Sequence, residues 1–286
     1  MFVYKQYDQH GLDLQYNNRF HVPDFADYFN RWELLSQETE TKLPVVKDLK
    51  YGSLPRERLD IFPSLLSHSK TLVFIHGGYW QSLDKAMFRF IANGFHSYGV
   101  TTVLLTYPLA PEASIDQIVS SCRSAMNWLH KNVSTFNGDP DQLYIAGHSA
   151  GGHLAAMLMA TDWKGINHNL PANLIKGTCV LSGLFNLVPI HLSYLNEVLK
   201  MDLETSVRNS PVTLRPINPC PLIVAVGGAE TAEFKDQSRE LAAAWKDNGI
   251  DVELLQLDQL NHFSIGETLV HADSPLHQKV RLIMKI

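Results

Sequence analysis

Leu143-Tyr144-Ile145-Ala146-Gly147-His148-Ser149-Ala150-Gly151-Gly152-His153 is the stretch that decides how this chain is read. A short apolar run meets Gly-x-Ser-x-Gly, and an alanine-rich stretch from Leu154 to Ala160 follows. That order is strand, sharp turn, helix, the arrangement known as a nucleophile elbow. A serine hydroxyl is a poor nucleophile at neutral pH, so it has to be exposed, aimed and paired with a base. The elbow supplies the first two. Gly147 and Gly151 lack a Cβ, which permits the tight turn and lets strand and helix approach closely.

Outward from the elbow, the chain alternates apolar runs with longer amphipathic segments from about residue 71. Strands are predicted at 71–76, 101–106, 143–146, 178–182, 222–226 and 252–257, with helices near 85–97, 115–134, 150–161, 235–248 and 272–285. Strands apolar throughout are those buried on both faces of a parallel sheet. Alternation of β and α then implies right-handed crossovers and a doubly wound architecture. Together with the elbow, this predicts the α/β-hydrolase fold: a mostly parallel central sheet with helices on both faces, in one domain spanning 1–286. Residues 45–50 and 59–62 supply an antiparallel edge. Two regions break the pattern. Residues 1–44 are aromatic and polar without clean periodicity and are placed over the site mouth. Residues 184–221 carry no clear strand and, by analogy with the fold, form a small lid insert.

A second motif precedes the elbow. Thr71-Leu72-Val73-Phe74-Ile75 runs into His76-Gly77-Gly78-Tyr79-Trp80, where this fold supplies half of an oxyanion hole. The expected N–H donors are Ala150, just after the nucleophile, with Gly78 and Tyr79. His76 is expected to brace the loop, and Tyr79 and Trp80 to line the pocket. The chain order in this fold is serine, acid, histidine. The base therefore belongs after the last strand, where Asn261-His262-Phe263 follows Val252–Asp258. His148 and His153 flank the elbow and suit packing or supporting hydrogen bonds, while His271 and His277 read as surface residues of the last helix. The acid belongs after Leu222–Ala229; Glu230 comes first, with Glu233 and Asp236 as competitors. Its work is to hold the His262 tautomer and stabilise the imidazolium.

The remaining composition narrows the classes. The chain has 286 residues, 45% hydrophobic and 19% charged, ordinary values for a globular protein with a large core. A formal charge of −5 offers no electrostatic footprint for nucleic acid or an anionic membrane. Cys122, Cys179 and Cys220 lie far apart, which fits reduced thiols in the cytoplasm better than a disulfide framework. Cys179 sits in an apolar run and reads as a small core residue. Residues 1–8 lack the apolar stretch of a signal peptide, and no window approaches the length of a membrane helix. The 13 histidines are scattered rather than set at metal-ligand spacings, and serine hydrolysis needs no cofactor. A binding protein on a degenerate hydrolase scaffold would have lost the serine, the histidine or the acid, and all three can be placed. Oligomeric state stays open.

With turn, elbow and base placed, the chain resembles the α/β-hydrolase form of kynurenine formamidase (arylformamidase). That family carries His-Gly-Gly-x-Trp, here His76 to Trp80, and Gly-His-Ser-Ala-Gly, here Gly147 to Gly151. The likeness extends to Tyr16-Asn17-Asn18-Arg19, Val22-Pro23-Asp24, Ser182-Gly183-Leu184-Phe185, Glu233-Phe234, Gln237-Ser238 and His262-Phe263. It departs at the acid, since the family generally has aspartate where Glu230 stands. The resemblance implies cleavage of N-formyl-L-kynurenine to L-kynurenine and formate. The expected partner is a small aromatic amide or ester, with Tyr79, Trp80 and Phe185 as walls for its ring. A general carboxylesterase preferring small acyl groups would use identical machinery and is the alternative. No residue in the sequence declares itself as the partner of the substrate's carboxylate.

Overall fold

A computed structural model describes all 286 residues. Eight strands form one sheet: β1 (Val46–Lys50), β2 (Arg58–Phe62), β3 (Ser69–Ile75), β4 (Thr101–Leu105), β5 (Gly138–His148), β6 (Ile175–Leu181), β7 (Leu222–Gly227) and β8 (Val252–Leu257). Their order across the sheet is β1-β2-β4-β3-β5-β6-β7-β8. The two pairings that involve β2 are antiparallel and all the others are parallel. The chain thus begins at one edge, reverses at β3 and winds outward to β8. β5 is central, and the elbow leaves from its C-terminal end.

The apolar strands are buried on both faces because each face carries its own core. Val73 and Ile75 of β3 pack on one side with Ile145, Val180 and Val224. Leu72 and Phe74 point to the other, with Ala146, Leu181 and Ile223. The period of two in a strand makes this partition automatic. The first face is covered by the helices Ile115–Asn132, Ala150–Met159 and Ala232–Asp247, and the second by Pro275–Met284 and Trp32. Helix Ile115–Asn132 begins at a capping box, in which Ser114 and Gln117 satisfy each other's backbone N–H.

Three regions differ from the sequence reading. Residues 1–44 contain three helices, Gln9–Tyr16, Asn18–His21 and Phe25–Lys42. The longest buries only Trp32, Ser36 and Thr39; two of those three are polar, so its inner stripe leaves no apolar period to read. The helix expected over 85–97 is instead a 3-10 turn (Lys85–Phe88), a short helix (Ile91–Phe95) and a second 3-10 turn (His96–Tyr98). Lys85 is drawn inward there, its ammonium 2.7 Å from Asp48 and 3.3 Å from the buried Asp60. His277 is buried rather than superficial. Its Nε2–H donates to the Gly94 carbonyl at 2.7 Å and its ring lies against Phe95.

Candidate active site

Ser149 sits between β5 and the helix Ala150–Met159 with φ 57° and ψ −122°, a conformation that L residues avoid and that the surroundings must enforce. The enforcement is steric. A Cβ on Gly151 would lie 2.0 Å from the Ile75 carbonyl oxygen, and one on Gly147 2.1 Å from that of Gly151. The helix therefore presses against the end of β3 and drives Ser149 out of the strand direction. The Ser149 N–H donates to the Leu181 carbonyl at 2.8 Å, which ties the turn to β6.

Three residues from three chain segments meet at this turn. The Ser149 hydroxyl lies 3.0 Å from His262 Nε2. His262 Nδ1 lies 2.7 Å from Glu230 Oε2. With Nδ1 facing a carboxylate, the ring proton belongs on Nδ1 and Nε2 is left as acceptor. Glu230 follows β7, and its other oxygen accepts the Gly227 N–H at 2.7 Å and the Ser182 hydroxyl at 2.5 Å. Three donors converge on this one buried carboxylate and fix its orientation. Glu233 points elsewhere: it is fully buried, with its oxygens on Lys5 Nζ at 3.2 Å and Tyr16 Oη at 3.5 Å. Asp236 pairs with Arg239 on the outer side of the same helix.

His148 supports His262 from beneath. Its Nε2–H donates to the His262 carbonyl at 2.7 Å, and the two rings lie against each other tilted by 41°, with centroids 4.8 Å apart. Burial, chiefly, and the neighbouring His262 push its pKa down to about 3. It is therefore a neutral strut.

The turn after β3 lies against this chain of hydrogen bonds in a rare backbone conformation. Gly78 has φ 104°, Tyr79 φ 50° and Trp80 φ 58°. The Gly78 carbonyl is held by the Gln81 N–H and the Ser82 hydroxyl, each at 3.0 Å. The Gly78 and Tyr79 N–H groups have no acceptor within the protein. Ala150, as the first residue of its helix, presents an N–H that no intrahelical carbonyl reaches. A Cβ on Gly77 would come within 2.9 Å of the Ser149 Cβ, so glycine is required for the turn to lie against Ser149. His76 is stacked on Tyr107 with centroids 4.5 Å apart, and its Nδ1–H donates to the Gly77 carbonyl at 2.7 Å. It braces the loop.

A cavity of about 340 Å³ opens over Ser149 and His262. Tyr79 lines it, and the Tyr79 hydroxyl is fixed by donating to the Tyr16 carbonyl at 2.7 Å. Trp80 and Phe185, expected as walls, lie outside it. Trp80 is turned into the core by the positive φ of its turn, and its Nε1–H donates to His153 Nδ1 at 3.2 Å. Phe185 packs its ring against Gly183 under the insert, with its N–H on Gln237. In their place stand Phe29, Trp32 and Phe263, together with Tyr16 to Arg19 of the N-terminal segment and Tyr194 and Leu195 of the insert. Sequence reasoning placed the N-terminal segment over the site mouth but did not single out these residues, because the helices that hold them, Gln9–Tyr16, Asn18–His21 and Phe25–Lys42, show no clean apolar period.

A family model described as BD-FAE matches residues 59–179. A solved structure from Silicibacter sp. TM1040, provisionally named a thioesterase, superposes with a TM-score of 0.84 at 29% identity, covering 96% of this chain and 99% of that one. The protein is thus a hydrolase of amide or ester bonds built on the α/β-hydrolase fold. Two curated relatives sharpen the placement, both named kynurenine formamidase. That of Salmo salar is 36% identical over 83% of this chain and 81% of its own, and that of Danio rerio 35% identical over 94% of each. This chain belongs to the kynurenine formamidase family.

Proposed function

We propose that the protein hydrolyses N-formyl-L-kynurenine to L-kynurenine and formate, with Ser149 as nucleophile, His262 as base and Glu230 as its acid partner. The observation that carries this is the unbroken run from Glu230 through His262 to Ser149, at the floor of an aromatic-lined cavity and beside N–H groups without acceptors. The Ser149 oxygen attacks the formyl carbon as its proton passes to His262 Nε2. Negative charge moves to the formyl oxygen, where the N–H groups of Gly78, Tyr79 and Ala150 receive it. Losing one such donor typically costs about 2.7–4 kcal/mol of barrier lowering. An arylamide anion is a poor leaving group, so the His262 imidazolium protonates the anilide nitrogen as the bond from the formyl carbon to that nitrogen breaks. A water, deprotonated by His262 Nε2, then attacks the formyl-serine, and the proton returns to the Ser149 oxygen as formate leaves. Glu230 stays ionised throughout.

The segments flanking the site extend this reading. The N-terminal 44 residues act as the roof of the site mouth, and residues 184–221 act as a lid; their contributions to the cavity wall support both roles. No helix is long and apolar enough to cross a membrane. The three cysteines are buried and unpaired, and burial raises each thiol pKa, which supports a reducing compartment, the cytoplasm.

The test compares the wild type with Ser149→Ala on N-formyl-L-kynurenine and on p-nitrophenyl acetate. Kynurenine release that falls on the order of 10⁶-fold in the variant is the expected result. Serine-dependent ester cleavage without kynurenine release would move the assignment to a general carboxylesterase.

A further inference from the structure

The cavity is electrostatically lopsided. No aspartate or glutamate lines it, and one permanently charged side chain does: Arg19, in the short helix Asn18–His21. Arg31, Arg56, Arg89, Arg208 and Arg239 each meet a carboxylate, and Arg58, Arg123, Arg215 and Arg281, which do not, lie away from the cavity. Arg19 meets none and makes no hydrogen bond. Its guanidinium instead lies over two aromatic faces, 5.0 Å from the Phe25 centroid and 6.0 Å from that of Phe29. Such contacts orient a guanidinium while leaving its N–H groups free to donate. Asp13, on the preceding helix, is already occupied by Gln9 Nε2 at 3.0 Å and the Tyr194 N–H at 2.8 Å. The chain as a whole carries −5, so an anionic substrate approaches against the mean field and gains from a local cation.

We propose that Arg19 is the specificity-determining residue of this pocket, receiving a substrate carboxylate on its free guanidinium edge and so selecting acyl arylamides that carry an acid. The inference rests on the proposed formamidase function, whose substrate has an α-carboxylate remote from the formyl group. A planar guanidinium can take both carboxylate oxygens at once, which fixes orientation as well as affinity. With one end of the substrate held at Arg19, the aromatic lining is left to take its ring and Ser149 its formyl group. The site works by charge at its rim and by shape at its floor.

The experiment measures kcat/KM on N-formyl-L-kynurenine and on its neutral carboxamide, for the wild type, Arg19→Gln and Arg19→Lys. The expected result is a wild-type preference for the acid that collapses about 10- to 100-fold in Arg19→Gln, carried by KM rather than kcat. Arg19→Lys restores part of it, because it keeps the charge and loses the fork. Added salt lowers the wild-type preference. An acid-to-carboxamide ratio unchanged by Arg19→Gln overturns the inference while leaving the formamidase reading intact. A wild type that deformylates neither compound overturns that reading, and this inference falls with it.

Discussion

Replacing Glu230 with glutamine removes a charge without removing volume, and the surrounding hydrogen bonds dictate how the amide must sit. Oε1 accepts from the Gly227 N–H and the Ser182 hydroxyl, so the amide oxygen takes that place. The NH₂ group then faces His262 Nδ1, where the carboxylate had been 2.7 Å away. Two N–H groups cannot share one hydrogen bond. His262 therefore moves its proton to Nε2 and points a donor at Ser149, which leaves no base. Holding the productive tautomer forfeits a charge-assisted hydrogen bond worth about 1.5–3 kcal/mol and strands a buried donor at about 1–3 kcal/mol. The sum, about 2.5–6 kcal/mol, is a fall in kcat of about 10² to 10⁴, and the lost stabilisation of the imidazolium places the expected value at the upper end. Initial rates of arylamine release measure it, with circular dichroism and thermal melting confirming the fold. KM should change little, since Glu230 does not line the cavity. Glu230→Asp keeps the charge on a shorter stem and should retain more activity than Glu230→Gln. Glu233→Gln should leave kcat near the wild-type value. A Glu230→Gln enzyme within tenfold of the wild type, or a larger loss in Glu233→Gln, would refute the reasoning.

Stability should fall steeply on mild acidification. Burial holds the pKa of His148 down to about 3 and those of His76 and His153 down to about 4, whereas an unfolded histidine titrates near 6.5. The folded chain thus binds fewer protons than the unfolded one between roughly pH 6.5 and 4. Stability is full above that window and drops by about 4 kcal/mol per pH unit within it if all three contribute. Denaturant titrations at pH 7, 6 and 5 check the slope; equal unfolding free energies would contradict it. Gly151→Ala places a Cβ 2.0 Å from the Ile75 oxygen and 2.6 Å from that of His76, and all of these atoms are backbone. The variant should lose about 3 kcal/mol or more along with its activity, and a melting temperature equal to the wild type would show that the elbow tolerates more than its packing implies.

The parts of this protein that sequence alone determined are those whose causes lie within a few consecutive residues. Strands β4, β6 and β7 were placed within a few residues at either end because they are buried on both faces and read as short, largely apolar runs; β8, a half-exposed edge strand, was placed at its observed bounds from the aliphatic residues that recur along it. The elbow and the turn after β3 were legible because each needs glycine at a fixed offset from its neighbours. The placement of His262 beside Ser149 was legible because chain order in this fold points to the loop after the last strand. The choice between Glu230 and Glu233 was not, since three residues separate two carboxylates whose directions differ only once the Gly227 turn and the helix after it are folded. Nor was the pocket wall. Trp80 stands beside the oxyanion turn in sequence, yet a positive φ rotates it into the core. Arg19, Phe29 and Trp32 lie more than a hundred residues before Ser149, yet docking of their helices brings them to the cavity. The machinery was written in local backbone constraints; the substrate's surroundings were decided by how distant segments pack, because side-chain direction is a property of the folded chain.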